Sequence, residues 1–168
     1  HDQVKEHPQR IIFPESEDKR VLDAVAYLHQ HRIVHPILVG EPAGLKSKLS
    51  ARGVSEIDII DITQDDAKLT AQLHRLRKHK GLTRAKAKKL LTQPIYRAMM
   101  HLKTDQADGI VAGANNPSAA TFRPALQIIK TRKDIRTASS YFIMLLDNQV
   151  YFFADCALNI DPDSKQLA

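Results

Sequence analysis

The chain carries a single cysteine, Cys156, among 168 residues. One thiol excludes an internal disulfide and fits a reducing compartment. Its surroundings, Tyr-Phe-Phe-Ala-Asp-Cys-Ala-Leu, are apolar, so Cys156 reads as a buried small residue rather than a nucleophile. Long apolar runs are also missing. None approaches the roughly 20 residues of a membrane-crossing helix, so no membrane partner is expected. The first residues, His-Asp-Gln-Val-Lys-Glu-His-Pro, lack the apolar centre of a signal peptide, and a cytoplasmic location is expected. Aromatic residues are few, and no zinc-finger, RRM or KH pattern appears. The net charge of +6 is spread along the chain, and a field that gathers small polyanions explains it without nucleic acid. There is no Walker lysine loop, no Gly-x-Gly-x-x-Gly and no Gly-x-Ser-x-Gly elbow. The eight histidines form no metal-binding pattern: His29 and His31 are too close to share a helical face, and His74 and His79 lie five apart.

What is present alternates between strand and helix patterns. Residues 10–13 form a short apolar run closed by Pro14. An acidic stretch, 15–18, precedes Val21, Leu22, Val25 and Leu28 at helical spacing, which predicts a helix over about 18–31. Pro-Ile-Leu-Val-Gly at 36–40 is a second strand, 45–49 a short helix closed by Gly53, and 57–62 a third strand. A βαβαβ order of this kind points to a parallel sheet with helices packed on it. Leu69, Leu73 and Leu76 mark a helix over about 65–80 with a basic last turn and Gly81 as its C-cap. Thr83 caps another helix, 84–91, and Pro94 opens one more, through Leu102.

The stretch from Asp108 to Lys130 organises the rest. Ile110, Val111 and Ala112 suit a buried strand, Gly113 to Asn116 a turn of small residues, and Pro117 and Ser118 a helix start. Free backbone N–H groups and the positive end of a helix dipole are expected at such a turn, which makes it a candidate anion site. Arg123 sits about one turn inside this helix, where a guanidinium suits phosphate. The same pattern also fits an ordinary βα connection with Arg123 on the surface. Beyond Lys130 the chain changes character. The apolar runs 138–146 and 150–154, joined by Asp147-Asn148, predict a β-hairpin. Pro162 and Ser164 look like the entry to an unfinished helix, which leads us to expect a truncated sequence. The expected organisation is a first α/β domain over 1–132 and the opening hairpin of a second over 133–168.

Several segments, in order and covering nearly the whole chain, resemble the phosphate acetyl/butyryl transferase family, above all its acetyltransferases. They are Arg10-Ile-Ile-Phe-Pro-Glu-Ser-Glu-Asp-Lys-Arg-Val-Leu, Pro36-Ile-Leu-Val-Gly, Leu76-Arg-Lys-His-Lys-Gly-Leu-Thr, Ala98-Met-Met, Asp108-Gly-Ile-Val-Ala-Gly-Ala, Thr121-Phe-Arg-Pro-Ala-Leu-Gln-Ile-Ile-Lys-Thr and Phe152-Phe-Ala-Asp-Cys-Ala-Leu-Asn. The resemblance implies the phosphate acetyltransferase reaction, acetyl-CoA plus phosphate giving CoA plus acetyl phosphate. It implies a three-layer α/β/α parallel sheet of the isocitrate/isopropylmalate dehydrogenase type, with the active site in an interdomain cleft. A homodimer is implied for the full-length protein, and coenzyme A enters as substrate rather than cofactor. The resemblance associates Arg77 and Arg123 with the phosphates of CoA and puts Asn116, Ser118 and Thr121 beside them. The family's catalytic Ser-Arg pair and Asp base are expected beyond residue 168.

The chain departs from the family's pattern where Asn116, Pro117 and Ala120 replace the usual polar residues of this loop. Two readings besides an acetyltransferase therefore stay open. One is a phosphate butyryltransferase. The other is a non-catalytic, acyl-CoA-sensing regulatory domain, like the C-terminal domain of some malic enzymes.

Overall fold

The structure is a computed structural model that describes residues 6–135, 137–154, 158–159 and 163–164. Cys156 and Pro162, singled out above, lie outside the described residues. The described chain divides into two compact units, His1–Ile129 and Lys130–Ala168.

In the first unit four strands form one parallel sheet. They are β1 (Arg10–Phe13), β2 (His35–Gly40), β3 (Asp58–Asp61) and β4 (Gly109–Ile110), in the order β3-β2-β1-β4. The register aligns Ile12 with both Ile37 and Ile110, and Phe13 with Leu38. Alternate strand residues face opposite sides of the sheet. Phe13 and Leu38 pack with Leu22, Val25 and Ala26 of α1 (Lys19–Gln30) and with Leu45 and Leu49 of α2 (Pro42–Ser50). Ile12, Ile37 and Val39 pack on the other side with Ala98 of α5 (Pro94–Lys103). Helices thus cover both faces, which is why β1 and β2 read as continuous apolar runs rather than alternating ones. A third cluster joins α3 (Ala67–Arg77), α4 (Arg84–Leu90), α5 and α6 (Ser118–Ile128) through Leu69, Leu73, Leu91, Met99, Met100 and Ile128.

Local chemistry sets the element ends. The carboxylates of Asp18, Glu41 and Asp66 accept backbone N–H bonds at the starts of α1, α2 and α3. The helix expected over 65–80 stops earlier than its pattern suggests. Its last turn tightens into a 3₁₀ segment, Lys78–Lys80, and Gly81 closes it in the left-handed region at φ 77°. The strand expected over 110–112 is shorter too. Val111 still donates to the Ile12 carbonyl, but the next amides turn toward Glu15 instead of a neighbouring strand.

Two polar devices brace this unit. At the N-terminal end of the sheet Asp108 accepts from the Arg10 amide at 2.8 Å and from its guanidinium at 2.9 Å. Arg97 is buried, and its guanidinium donates to the carbonyls of Leu91 (3.1 Å) and Gln64 (2.9 Å). A buried cation held by carbonyls ties the end of α4 to the loop after β3.

The second unit holds the antiparallel hairpin β5 (Tyr141–Leu146) and β6 (Gln149–Ala154), with Leu146 opposite Gln149. Asp147 and Asn148 both take positive φ, 46° and 64°, as a tight two-residue hairpin turn requires. Apolar side chains stand exposed along both strands, Leu145 at 76% and Phe152 at 69% among them.

Candidate functional site

The sheet order places the first unit's chemistry. From β1 the chain moves outward to β2 and β3, then returns to place β4 on the other side of β1. In parallel α/β sheets the crevice at such a reversal, outside the carboxyl ends of the strands, is where ligands bind. Here the loops at that crevice are 14–18, after β1, and 111–117, after β4.

Loop 14–18 is held firmly. Ser16 is 2% exposed; its hydroxyl donates to the Phe13 carbonyl at 2.8 Å and accepts the Val39 amide at 3.0 Å. It thereby pins the end of β1 to β2. Next to it the Glu15 carboxylate reaches across to the second loop. One oxygen accepts the amides of Gly113 (2.8 Å) and Ala114 (2.7 Å). The other accepts the amides of Asn115 and Asn116, both at 2.8 Å, and the Asn116 side-chain amide at 2.7 Å. Gly113 turns at φ 106°, a left-handed conformation that glycine adopts without strain. Arg20 adds a strut, bonding both Asp18 oxygens and the Ala114 carbonyl at 2.7 Å. Burial pushes the Glu15 carboxyl up, but the bonds from Asn115, Ala114, Asn116 and Gly113 outweigh it and hold the group below the ordinary glutamate range. The turn expected from sequence to offer free amides to an anion therefore already holds one, and the anion is the protein's own.

One cavity adjoins these loops, and a second shares Leu90, Tyr96 and Arg123 with it. The larger, about 700 Å³, is lined by Glu15, Glu17, Asp18, Glu41, Asn115 and Asn116 together with Tyr96, Ala120, Arg123 and Pro124. The smaller, about 320 Å³, is lined by Arg77, Lys80, Lys86 and Arg123, with Leu73, Leu82, Leu90, Tyr96 and Gln127. The two differ in charge: the first gathers carboxylates, and the second has four cations and no carboxylate in its wall. Among the described residues no carboxylate forms an ion pair with any of these four cations. Arg123 and Tyr96 line both cavities. The Tyr96 hydroxyl donates to the Gln127 side-chain oxygen at 3.0 Å. Burial raises its phenol above the ordinary tyrosine value, and the nearby charges of Arg123 and Arg77 oppose that rise.

Of the five residues named from the sequence, Arg77 and Arg123 come together at the basic cavity, and Asn116 lines the larger one. Ser118 is exposed and Thr121 has a buried hydroxyl with no hydrogen-bond partner; neither lines either cavity. Lys80, Lys86 and Tyr96 join the site without having been singled out. Lys80 sits in a helix-terminal basic run that the helix dipole alone explains. Tyr96 follows Pro94 in a segment that reads only as an apolar helix face. Glu15 was legible as an acid at a helix start, but its partners lie almost a hundred residues away, and spacing carries no sign of them. Among the described residues no group of three or more His, Cys, Asp or Glu side chains is placed to hold a metal ion, and no helix is long and apolar enough to cross a membrane.

The first unit is thus a parallel α/β sheet with helices on both faces and one cavity whose wall holds four cations. The chain belongs to the phosphate acetyl/butaryl transferase family, whose profile matches residues 1–168. It is 37% identical over 163 residues to the phosphate acetyltransferase of Escherichia coli (strain K12), covering 95% of this chain and 23% of that protein. It is 33% identical over 175 residues to the phosphate acetyltransferase of Thermoanaerobacterium thermosaccharolyticum, covering 99% of this chain and 53% of that one. A phosphotransacetylase from Streptococcus pyogenes superposes with a TM-score of 0.90 at 36% identity, over 99% of this chain and 52% of that one. The EutD phosphotransacetylase from Staphylococcus aureus superposes with a TM-score of 0.85 at 34% identity, over 99% and 51%. The chain thus spans between about a quarter and about half the length of these relatives.

Proposed function

We propose that this chain is the CoA-gripping part of a phosphate acetyltransferase, interconverting acetyl-CoA plus phosphate with CoA plus acetyl phosphate. The observation that carries the proposal is the meeting of Arg77, from the end of α3, and Arg123, from α6, at one cavity without carboxylates in its wall. Coenzyme A is a polyanion through its phosphates, and guanidinium forks bind phosphate bidentately while staying charged at any working pH. Lys80 and Lys86, which form no ion pair among the described residues, add positive charge to the same wall. The larger cavity, which Arg123 also lines, carries carboxylates, so phosphate groups are favoured in the basic one.

In the proposed reaction the CoA thiolate attacks the acyl carbon of acetyl phosphate. The carbon–sulfur bond forms, the bond to the phosphate oxygen breaks, and phosphate leaves with the electron pair. Arg123, standing between the two cavities, offsets charge that develops on the leaving phosphate. Holding both substrates in register supplies much of the acceleration, without a covalent enzyme intermediate. The base that takes the thiol proton, and the Ser-Arg pair that completes the site, belong in this reading to residues beyond 168. With them come an isocitrate/isopropylmalate dehydrogenase-type fold, a site closed between two domains, a cytoplasmic homodimer and no bound cofactor. Acetyl rather than butyryl transfer follows the names of the relatives, all phosphate acetyltransferases or phosphotransacetylases.

The test is thioester formation from acetyl phosphate and CoA, followed by ultraviolet absorbance in the full-length protein. Acetyl-CoA formed at a rate proportional to enzyme supports the proposal. Binding of acetyl-CoA without turnover would instead support a regulatory, acyl-CoA-sensing domain. Faster turnover of butyryl phosphate than of acetyl phosphate would reassign the acyl group.

A further inference from the structure

The amides of residues 113–116 point inward as a group, and backbone amides arranged in this way form a concave site for an anion. Glu15 occupies it with five hydrogen bonds of 2.7 to 2.8 Å. Its residue is only 9% exposed, and a carboxylate taken out of water is tolerable only when fully hydrogen-bonded. Among the described residues no other hydrogen bonds join the loop after β1 so extensively to the loop after β4. Residues 115 and 116 of the clamped loop line the larger cavity directly. The loop also leads through Pro117 into α6, which carries Arg123, and that helix start has no side-chain cap of its own. Its entry geometry is therefore set by what holds the loop in front of it.

We propose that Glu15 is a positioning residue for acyl transfer: as the resident anion of the 113–116 amide cluster, it fixes the loop that aims Asn116 and Arg123 at the cavities. The inference rests on the transferase reading. It carries a second consequence. Phosphate oxygens are denied these amides, so substrate phosphate is directed to Arg123 and its basic neighbours.

The test uses the full-length protein with Glu15→Ala and Glu15→Gln, and formate as a compact replacement carboxylate. Glu15→Ala is expected to lower kcat/KM for CoA by about tenfold or more, chiefly through a higher KM, because Arg123 loses its aim. Formate is expected to recover part of that loss in Glu15→Ala, while doing nothing for wild type. Glu15→Gln fills the space with a neutral group that brings an N–H toward N–H donors, so it is expected to lose activity without rescue. Formate is also expected to raise the melting midpoint of Glu15→Ala and not of wild type. Wild-type kcat/KM in Glu15→Ala, or a loss that formate leaves untouched in both activity and melting, would overturn the proposal. Should Glu15→Ala not fold, Glu15→Asp carries the test: its charge sits on a shorter arm, an intermediate KM is expected, and a wild-type KM would overturn it. A wild-type protein without transferase activity would overturn the function reading alone, and formate-dependent melting would still decide whether Glu15 is the resident anion.

Discussion

Replacing Arg123 with alanine isolates the residue on which the account depends most. Arg123 is exposed, lines both cavities and has no carboxylate partner among the described residues. Its loss therefore leaves no buried charge stranded, and α6 keeps its core contacts through Pro124 and Ile128. The effect should fall on ligand binding rather than on folding. A hydrogen bond to a charged group contributes about 1.5–3 kcal/mol. Solvent and salt screening at an exposed guanidinium bring the expected loss to about 1–2 kcal/mol. At about 1.4 kcal/mol per tenfold, that is a rise of roughly 5- to 30-fold in Kd for CoA. Arg123→Lys keeps the charge without the fork and should fall in between. Arg77→Ala should weaken CoA similarly, and the double variant should lose less than the sum, because two cations that share one anion are coupled. Calorimetric titration of the full-length protein with CoA, alongside thermal melting, reads all four variants. Unchanged Kd in both single variants, with normal melting, would refute the reasoning.

Three further outcomes are expected. Ser16→Ala should destabilise the protein by about 1–3 kcal/mol, because the buried Val39 amide loses its acceptor; urea denaturation measures it. Leu38→Ala, at a wholly buried position between the sheet and α1 and α2, should cost about 2–5 kcal/mol in the same assay. The Arg10 side chain holds the Asp108 carboxyl down to about 2, below its ordinary 3.8. A depressed carboxyl contributes stability above its unfolded value and loses it as pH falls through the folded one. Asp108→Asn should therefore flatten the acid limb of the stability curve between about pH 4 and pH 2, and an unaltered limb there would contradict the pairing.

Much of the first unit was legible in the sequence because its signals are local. Apolar runs at 10–13 and 36–40 became β1 and β2, Gly81 became a left-handed cap, Thr83 and Pro94 opened helices, and Asp147-Asn148 became a hairpin turn. Arg123 was legible as a guanidinium one turn inside a helix start, and the family resemblance joined it to Arg77, since nothing in their spacing announces a shared cavity. What sequence reasoning misjudged was the turn at 113–116. Small residues before a helix start do gather amides, as expected. Whether those amides are free depends on a residue from another loop, and Glu15 reaches them only because β4 lies beside β1. Strand order, not local pattern, decided that outcome. The exposed apolar strands of the hairpin show the converse: their pattern was plain, but the pattern alone does not name what they pack against.

The central claim is that the phosphates of CoA bind where Arg77 and Arg123 meet. A crystal structure of the full-length protein with CoA tests it most directly. The account predicts phosphate oxygens within hydrogen-bond distance of both guanidinium groups, with the Glu15 carboxylate still seated on the amides of 113–116. CoA bound away from Arg77 and Arg123, or its phosphate seated on those amides with Glu15 displaced, would contradict it.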